Sequence, residues 1–280
     1  MSTEITTSMV EQYKSNFIIL SQQKGSKYRE HVRVETLVGK SHFFERIGSV
    51  EMVDAVSRHD DTPQTDTPHS RRRVSAVTSR YNDLIDKADT RRVLIDAQSA
   101  YVTVGMMAAG RRMDRHIITA ATGNAYAGET GATTVALPSA QKVAAASAGL
   151  TITKLLAAKE ILGDGDVDEE PGLVCAINPA GLTDLLSATE IKSADYNTVK
   201  ALAAGQLDTF MGYKFVKSNL VTAGKAIVWQ KNAIGLAISA EPFVRISERA
   251  DKNYSWQVFI EMDMGATRAE DAGVVEISYV

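Results

Sequence analysis

The chain has 280 residues, 31 basic and 34 acidic, for a formal net charge of −3, and 44% of its residues are hydrophobic. That length suits one large domain or two smaller ones sharing a core, and the mixed charge argues against a protein that wraps nucleic acid through a basic excess or a continuous basic stripe. The single cysteine, Cys175, excludes an internal disulfide, no Cys/His spacing suits zinc, and no apolar stretch approaches the ~20 residues needed to span a bilayer.

Met1–Val10 is polar and carries neither the basic nor the apolar region of a secretory leader, so a soluble protein made in a cytoplasm is expected. From Met1 to about Gly39 the chain reads as an arm. Met9, Tyr13, Phe17 and Leu20 fall at near-helical spacing, Ser21–Lys27 is polar, and Val32, Val34, Thr36 and Val38 alternate as in a strand. This arm has too little apolar surface for a core of its own and is expected to lie on other structure.

Two strand-like runs follow, Phe43–Val56 and Arg72–Tyr81, around the polar stretch Ser57–Arg71. That stretch holds Pro63 and Pro68, three aspartates and two histidines, and no apolar residue. It reads as a long hairpin with a solvated tip, and a loop of that length commonly binds something.

A helix is expected from a cap at Asp89 or Thr90 to about Ala121, with Gly123 as its stop. Leu94, Ala97, Tyr101, Val104 and Ala108 share one face, which Ile117 and Ala121 continue, and Gly105 and Gly110 are candidate bend points. Asn124–Gly149, rich in small residues, supports no assignment. Beyond it the pattern gives a helix over Thr151–Leu162, an acidic turn at Gly163–Glu170, a buried strand at Leu173–Ile177 and a short helix at Ala180–Leu186 opened by Asn178–Pro179. After a polar stretch to Asp208 come strands Phe210–Lys217 and Lys225–Gln230 and a short apolar segment, Ile234–Ser239.

The cleanest period-two signal is C-terminal. Tyr254, Trp256, Val258, Ile260, Met262 and Met264 alternate with mostly polar neighbours, predicting a strand of about eleven residues, near the upper limit for globular proteins. Phe243–Glu248 precedes it. Val274–Val280 follows, and the polar turn Thr267–Ala272 predicts that these last two strands form an antiparallel pair. The fold class is α+β, without internal repeats.

No constellation assembles a nucleophile, acid or base. Asp164, Asp166 and Asp168 have the spacing of a calcium loop, but Glu169 stands where glycine is needed and Cys175 where a bidentate glutamate is needed; they read as a solvated turn. His59, Asp60, Asp61 and His69 would meet at a metal only if the hairpin tip folded back, and its prolines argue against that. The five histidines are scattered. Gly123–Gly128 lacks the second glycine of a dinucleotide loop, and no P-loop or nucleophile elbow exists. Cys175 reads as a small buried hydrophobe. No catalytic, cofactor or metal residue is assigned. Arg71–Arg72–Arg73, the densest basic cluster, is expected to meet carboxylates on a neighbouring subunit sooner than a phosphate. Together with Arg58, Asp60 and Asp61 it marks the candidate subunit interface. A coreless arm, a long solvated hairpin and an over-long helix are each entropically costly unless a partner orders them, so self-assembly is the expectation.

This order of parts resembles the Hong Kong phage-type capsid fold of tailed phages. Gly172–Leu173–Val174–Cys175–Ala176–Ile177–Asn178–Pro179 is similar to that family's strand ending in Asn-Pro before an axial-domain helix. Met211–Gly212–Tyr213–Lys214–Phe215–Val216–Lys217–Ser218 resembles its glycine-led strand, Arg245–Asn253 its return to the peripheral domain, and Gly273–Ile277 its terminal strand. The resemblance covers roughly residues 30–280, carried by the order of the motifs. It implies an N-terminal arm (1–40), an extended hairpin loop (41–88), a peripheral domain with the spine helix (89–149 and 241–280) and an axial domain (150–240).

By that resemblance the function is mechanical: a major capsid protein forming hexamers and pentamers of an icosahedral shell in the virion, assembled in the host bacterial cytoplasm. The resemblance implies no cofactor. The partners implied are other copies of the chain, a portal and possible decoration proteins; double-stranded DNA would be enclosed without sequence-specific binding. Many relatives carry a long N-terminal scaffolding segment for which this arm is too short, so a separate scaffolding protein is expected. The rivals are an encapsulin-like compartment, a tail or adhesion protein, and a metal-dependent hydrolase.

Overall fold

The computed structural model describes residues 22–54, 57, 61–62, 64–86, 97–187 and 209–280. The early part of the chain holds β1 (Arg33–Thr36), β2 (Ser41–Ile47), β3 (His69–Ser75) and β4 (Val77–Ile85), then the long helix α1 (Ala97–Thr122). Short strands follow where no assignment was supported: β5 (Ala125–Ala127), β6 (Thr133–Val135) and β7 (Lys142–Val143). Next come α2 (Ile152–Asp164), β8 (Leu173–Ile177) and α3 (Pro179–Ser187), then β9 (Thr209–Phe210), β10 (Tyr213–Lys217), β11 (Lys225–Gln230), β12 (Ile234–Arg249), β13 (Ser255–Arg268) and β14 (Val274–Ser278). The class is α+β, as the alternating patterns predict.

Three sheets form, in the orders β1-β12-β13-β4, β7-β14-β11-β8-β10-β9 and β2-β3-β5-β6. The chain divides into two compact units, one of Met1–Ser26, Thr78–Arg112 and Ala240–Asp263, the other of Lys27–Val77, Met113–Ser239 and Met264–Val280.

In the first unit, Ile85 and Val258 are buried against Tyr81, Tyr101, Val102 and Trp256. Polar side chains link β4 to β13: Arg80 Nε lies 2.5 Å from Glu261, Thr78 donates to Asp263 at 3.2 Å, and Gln257 donates to Asn82 at 2.6 Å. Gly105 of α1 sits where an added Cβ would lie 2.8 Å from the Tyr81 ring and against the Ile260 side chain, and Gly110 lies against the backbone of Gly25. The helix runs through both glycines, and close approach of neighbouring groups is what they permit.

In the second unit, one face of the six-stranded sheet carries the main core. Leu173, Cys175, Ile177, Tyr213, Phe215, Val228, Val275 and Ile277 pack against Leu155, Ala158 and Leu162 of α2 and Leu185 of α3. β8 is buried at all five positions, as an apolar run with no polar alternation requires. It pairs parallel with β10 and antiparallel with β11. Asn178 opens α3: its side chain accepts from Ala180 N at 3.1 Å, and Pro179 occupies the first helical position, where its missing N–H costs nothing.

Several expectations need correction. The last two strands do not pair: β13 lies between β12 and β4, whereas β14 pairs antiparallel with β11 and parallel with β7. The polar segment after Arg268 is a corner that moves the chain from one sheet to another. Phe210–Lys217 is two antiparallel strands, not one, because Met211 (φ 55°) and Gly212 (φ 84°) make a tight turn between them. Conversely Ile234–Ser239 and Phe243–Glu248 belong to one strand, β12. Pro242 is tolerated within it because β1 pairs only with Gly235–Ile238, leaving β12 without that partner at the proline. The first hairpin arm ends at Ile47, where Gly48 meets Pro68, and the second is broken at Ala76 into β3 and β4. Of the helix expected from Asp89, the described part begins at Ala97, and residues 87–96 lie outside the described residues.

Candidate assembly surfaces

The hairpin grows from a regular ladder. β2 and β3 pair from Ser41↔Ser75 to Ile47↔His69, and Gly48 N donates to Pro68 O at 2.9 Å. Proline has no N–H to return the bond, so the ladder stops there. Beyond it the described residues 49–54 are exposed and unpaired in any strand. Ile47, Val50, Met52 and Val53 are apolar and exposed, with Ile47 at 69% and Met52 at 100%. Four such side chains in seven residues are an apolar strip in water, the mark of a surface that another protein covers.

Strand alternation sorts the three arginines. Arg72 points inward and is 3% exposed; its Nη2 lies 2.5 Å from Asp271. The second Asp271 oxygen accepts from Arg268 Nε at 2.6 Å. Arg268, fully buried, donates to the carbonyls of Gly123 (2.6 Å), Ala121 (3.3 Å) and Val135 (3.0 Å). Arg46 Nη1 donates to Ala269 O at 2.9 Å. One carboxylate thus serves two buried guanidinium groups and pins the hairpin base to the corner after β13. Burial depresses the Arg72 pKa; Asp271 opposes that shift, and Arg46 and Arg268 add to it.

Arg71 and Arg73 face outward. Arg71 lies over the Phe43 ring at 5.2 Å with Glu45 at 3.8 Å. Arg73 lies over the Tyr126 ring at 5.7 Å and donates to Thr130 O at 3.1 Å. Within one chain each arginine therefore has a partner, and only Arg71 and Arg73 keep surface available to a neighbour. Asp61 is exposed. Arg58 and Asp60 lie outside the described residues, as does His59. Sequence reasoning missed Arg268 and Asp271, whose only signal was a polar turn with two charges three residues apart.

The acidic turn behaves locally: Asp168 accepts from Glu170 N at 2.9 Å, and Asp166 adopts φ 49°. Among the described residues, no three His, Cys, Asp or Glu side chains converge as a metal site would need.

The fold defined by these sheets, the long helix and the hairpin is that of phage capsid subunits. The chain superposes on a structure titled as the capsid of cyanophage P-SCSP1u with a TM-score of 0.75, at 17% identity over 100% of this chain and 95% of that one. It is similar to a chain of Mycobacterium phage Che8 (TM-score 0.74, 14% identity, 96% of each chain) and to the capsid of Ralstonia phage GP4 (0.72, 11%, 93% of each). No curated protein matches it. The phage capsid protein family matches residues 5–280, and the chain belongs to that family. It is a structural protein of the virion shell, with the Hong Kong phage-type fold.

Proposed function

We propose that the chain is the major capsid protein of a tailed bacteriophage, closing through hexamers and pentamers into an icosahedral shell around double-stranded DNA. The observation that carries this reading is the hairpin: a rigid seven-pair base that holds an apolar strip, Ile47 to Val53, out in solvent. A lone molecule gains nothing from that strip; a ring of copies buries it on each neighbour, through the head-to-tail contacts that cyclic capsomers use.

In this reading residues 41–88 are the extended loop, and 89–149 with 241–280 form the peripheral domain and spine. Residues 150–240 form the axial domain, joined in its sheet by β7 and β14. Arg71, Arg73 and Asp61, with Arg58 and Asp60, lie along the subunit contact. A separate scaffolding protein, a portal and assembly in the bacterial cytoplasm complete the expectation, and the protein performs no catalysis of its own.

Replacing residues 49–67 with a short Gly-Ser turn tests the reading. The ladder and the Arg72–Asp271–Arg268 clamp remain, so folded soluble subunits are expected, without closed shells. Normal particles from that variant, imaged by negative stain, would remove the hairpin from the mechanism.

A further inference from the structure

The outer face of the hairpin base carries a row of side chains that crosses all four strands of its sheet. Phe43 lies opposite Arg73, Arg73 opposite Tyr126, and Tyr126 opposite Thr134. Arg73 lies over the Tyr126 ring at 5.7 Å, and Arg71, from the next outward pair, over the Phe43 ring at 5.2 Å. A ring beneath a guanidinium holds that flexible side chain in place, and a planar fork of donors so held matches a carboxylate. Arg73 is fixed further, since it donates to Thr130 O at 3.1 Å and a Cβ added at Gly131 would lie 2.5 Å from its own Cβ. Glu45 faces Arg71 from 3.8 Å, and Glu129 is exposed in the loop that holds Thr130. An ion pair as open as Glu45–Arg71 adds little. The same face runs on to Ile47, opposite His69, where the exposed apolar strip begins.

A surface of opposite charge lies in the same unit, on the other side of the hairpin base. Residues 164–170, after α2, hold five carboxylates in seven positions. Asp164, Asp166, Asp168, Glu169 and Glu170 are all exposed, and Lys159 pairs with Glu169 at 3.2 Å. A Cβ added at Gly165 would lie 3.3 Å from Ala272, so this turn sits against the corner whose Asp271 binds Arg72. Arg72 points inward to that corner, and alternation sends Arg71 and Arg73 to the opposite side of the sheet. One subunit therefore cannot lay its own acidic turn on its own outward arginines.

Two unlike patches of opposite charge that face apart on one body suit a head-to-tail contact. Each copy then offers one patch to the copy ahead and the other to the copy behind. We propose that the face of Phe43, Arg71, Arg73 and Tyr126 receives the acidic turn, residues 164–170, of a second copy, carboxylate against guanidinium. The choice of a second copy as occupant rests on the capsid reading above. Charge gives this contact its register and its salt dependence, and the adjoining apolar strip adds buried area.

The test uses the full-length protein and follows its association by sedimentation velocity over a range of salt. Two reversals are made in separate proteins, Arg71→Glu/Arg73→Glu on the face and Asp164→Lys/Glu169→Lys/Glu170→Lys on the turn. The second spares Asp166, with its positive φ, and Asp168, which accepts from Glu170 N. Each reversed protein alone is expected to fold, by circular dichroism, and to associate about tenfold more weakly than the wild type at low salt. An equal mixture of the two should recover the association, because every junction again joins opposite charges, and mixing cannot cure a folding defect. A reversal that associates as the wild type does, which gives its surface to another occupant, overturns the inference, as does a mixture no better than its components. Where a reversal fails to fold, the neutral pair Arg71→Gln/Arg73→Gln takes its place; a weakened salt dependence of association is then expected, and an unchanged one overturns the inference. Electron microscopy of the wild type separates this contact from the capsid reading. Charge-dependent association that never closes into shells sinks only the capsid reading, and shells indifferent to both reversals sink only this contact.

Discussion

Arg268 shows how much one side chain can decide. Its guanidinium is fully buried and satisfied by one carboxylate and three carbonyls, two at the end of α1 and one on β6. Truncation leaves the three carbonyls without this donor and Asp271 with Arg72 as its remaining cation. Arg268→Ala should therefore cost about 3–5 kcal/mol in unfolding free energy, measured by urea titration. Arg268→Lys should recover little of it, because an ammonium cannot serve the fork of partners at once. Cys175 lies at the other extreme. It sits in the core with its thiol pushed up to about 12 by burial, so it should resist a thiol reagent at neutral and mildly alkaline pH until denaturant is added.

His31 gives a pH prediction with a definite sign. Its pKa is lowered from 6.5 in the folded state, so the native protein favours the neutral ring. The stabilisation is present above the unfolded pKa and is lost as pH falls below it. Lys214→Gln should raise the His31 pKa, seen by NMR titration of the ring, and reduce the acid-side loss. A His31 titration unmoved by that substitution would contradict the placement of the two groups.

At the scale of elements, α1 tests packing against propensity. Alanine is favoured over glycine inside a helix by about 1 kcal/mol, so an isolated helix would gain from Gly105→Ala. In the folded protein the new Cβ meets Tyr81 and Ile260, and such overpacking costs about 1–3 kcal/mol. A lowered melting temperature is the expected result; a raised one would mean that α1 does not sit so closely on β4 and β13.

Elements with strong periodicity were legible. α2, β8 and β11 fall within a residue or two of where hydrophobic spacing puts them, since each buries one face or both. The merging of two segments into β12 was not, because Pro242 looks like a terminator until the sheet shows which side of the strand lacks a partner. Nor was the separation of β13 from β14. Alternation says that a segment is a strand, and the turn length says that its neighbour is near, but neither says which sheet will accept it. The corner between them is held by contacts distant in sequence, of Arg268 with Ala121, Gly123 and Val135 and of Asp271 with Arg72.

For the whole molecule, the order of arm, hairpin, long helix, central sheet and closing strands was enough to point to a capsid fold. The family match and the likeness to phage capsids agree with it. The hairpin tip proposed as a subunit contact stands out in the sequence by composition, a run of charge and proline without apolar residues. The apolar strip just before it, Ile47 to Val53, looked like ordinary strand until the ladder was found to stop at Gly48.

The central claim is that this subunit is built to be covered by copies of itself. The most direct measurement is light scattering of the purified full-length protein followed by electron microscopy of the same sample. Closed particles made of sixfold and fivefold rings, with the hairpin of each subunit lying across its neighbour, are the predicted result. A monodisperse single molecule at every concentration, with Ile47, Val50, Met52 and Val53 folded onto its own body, would contradict it.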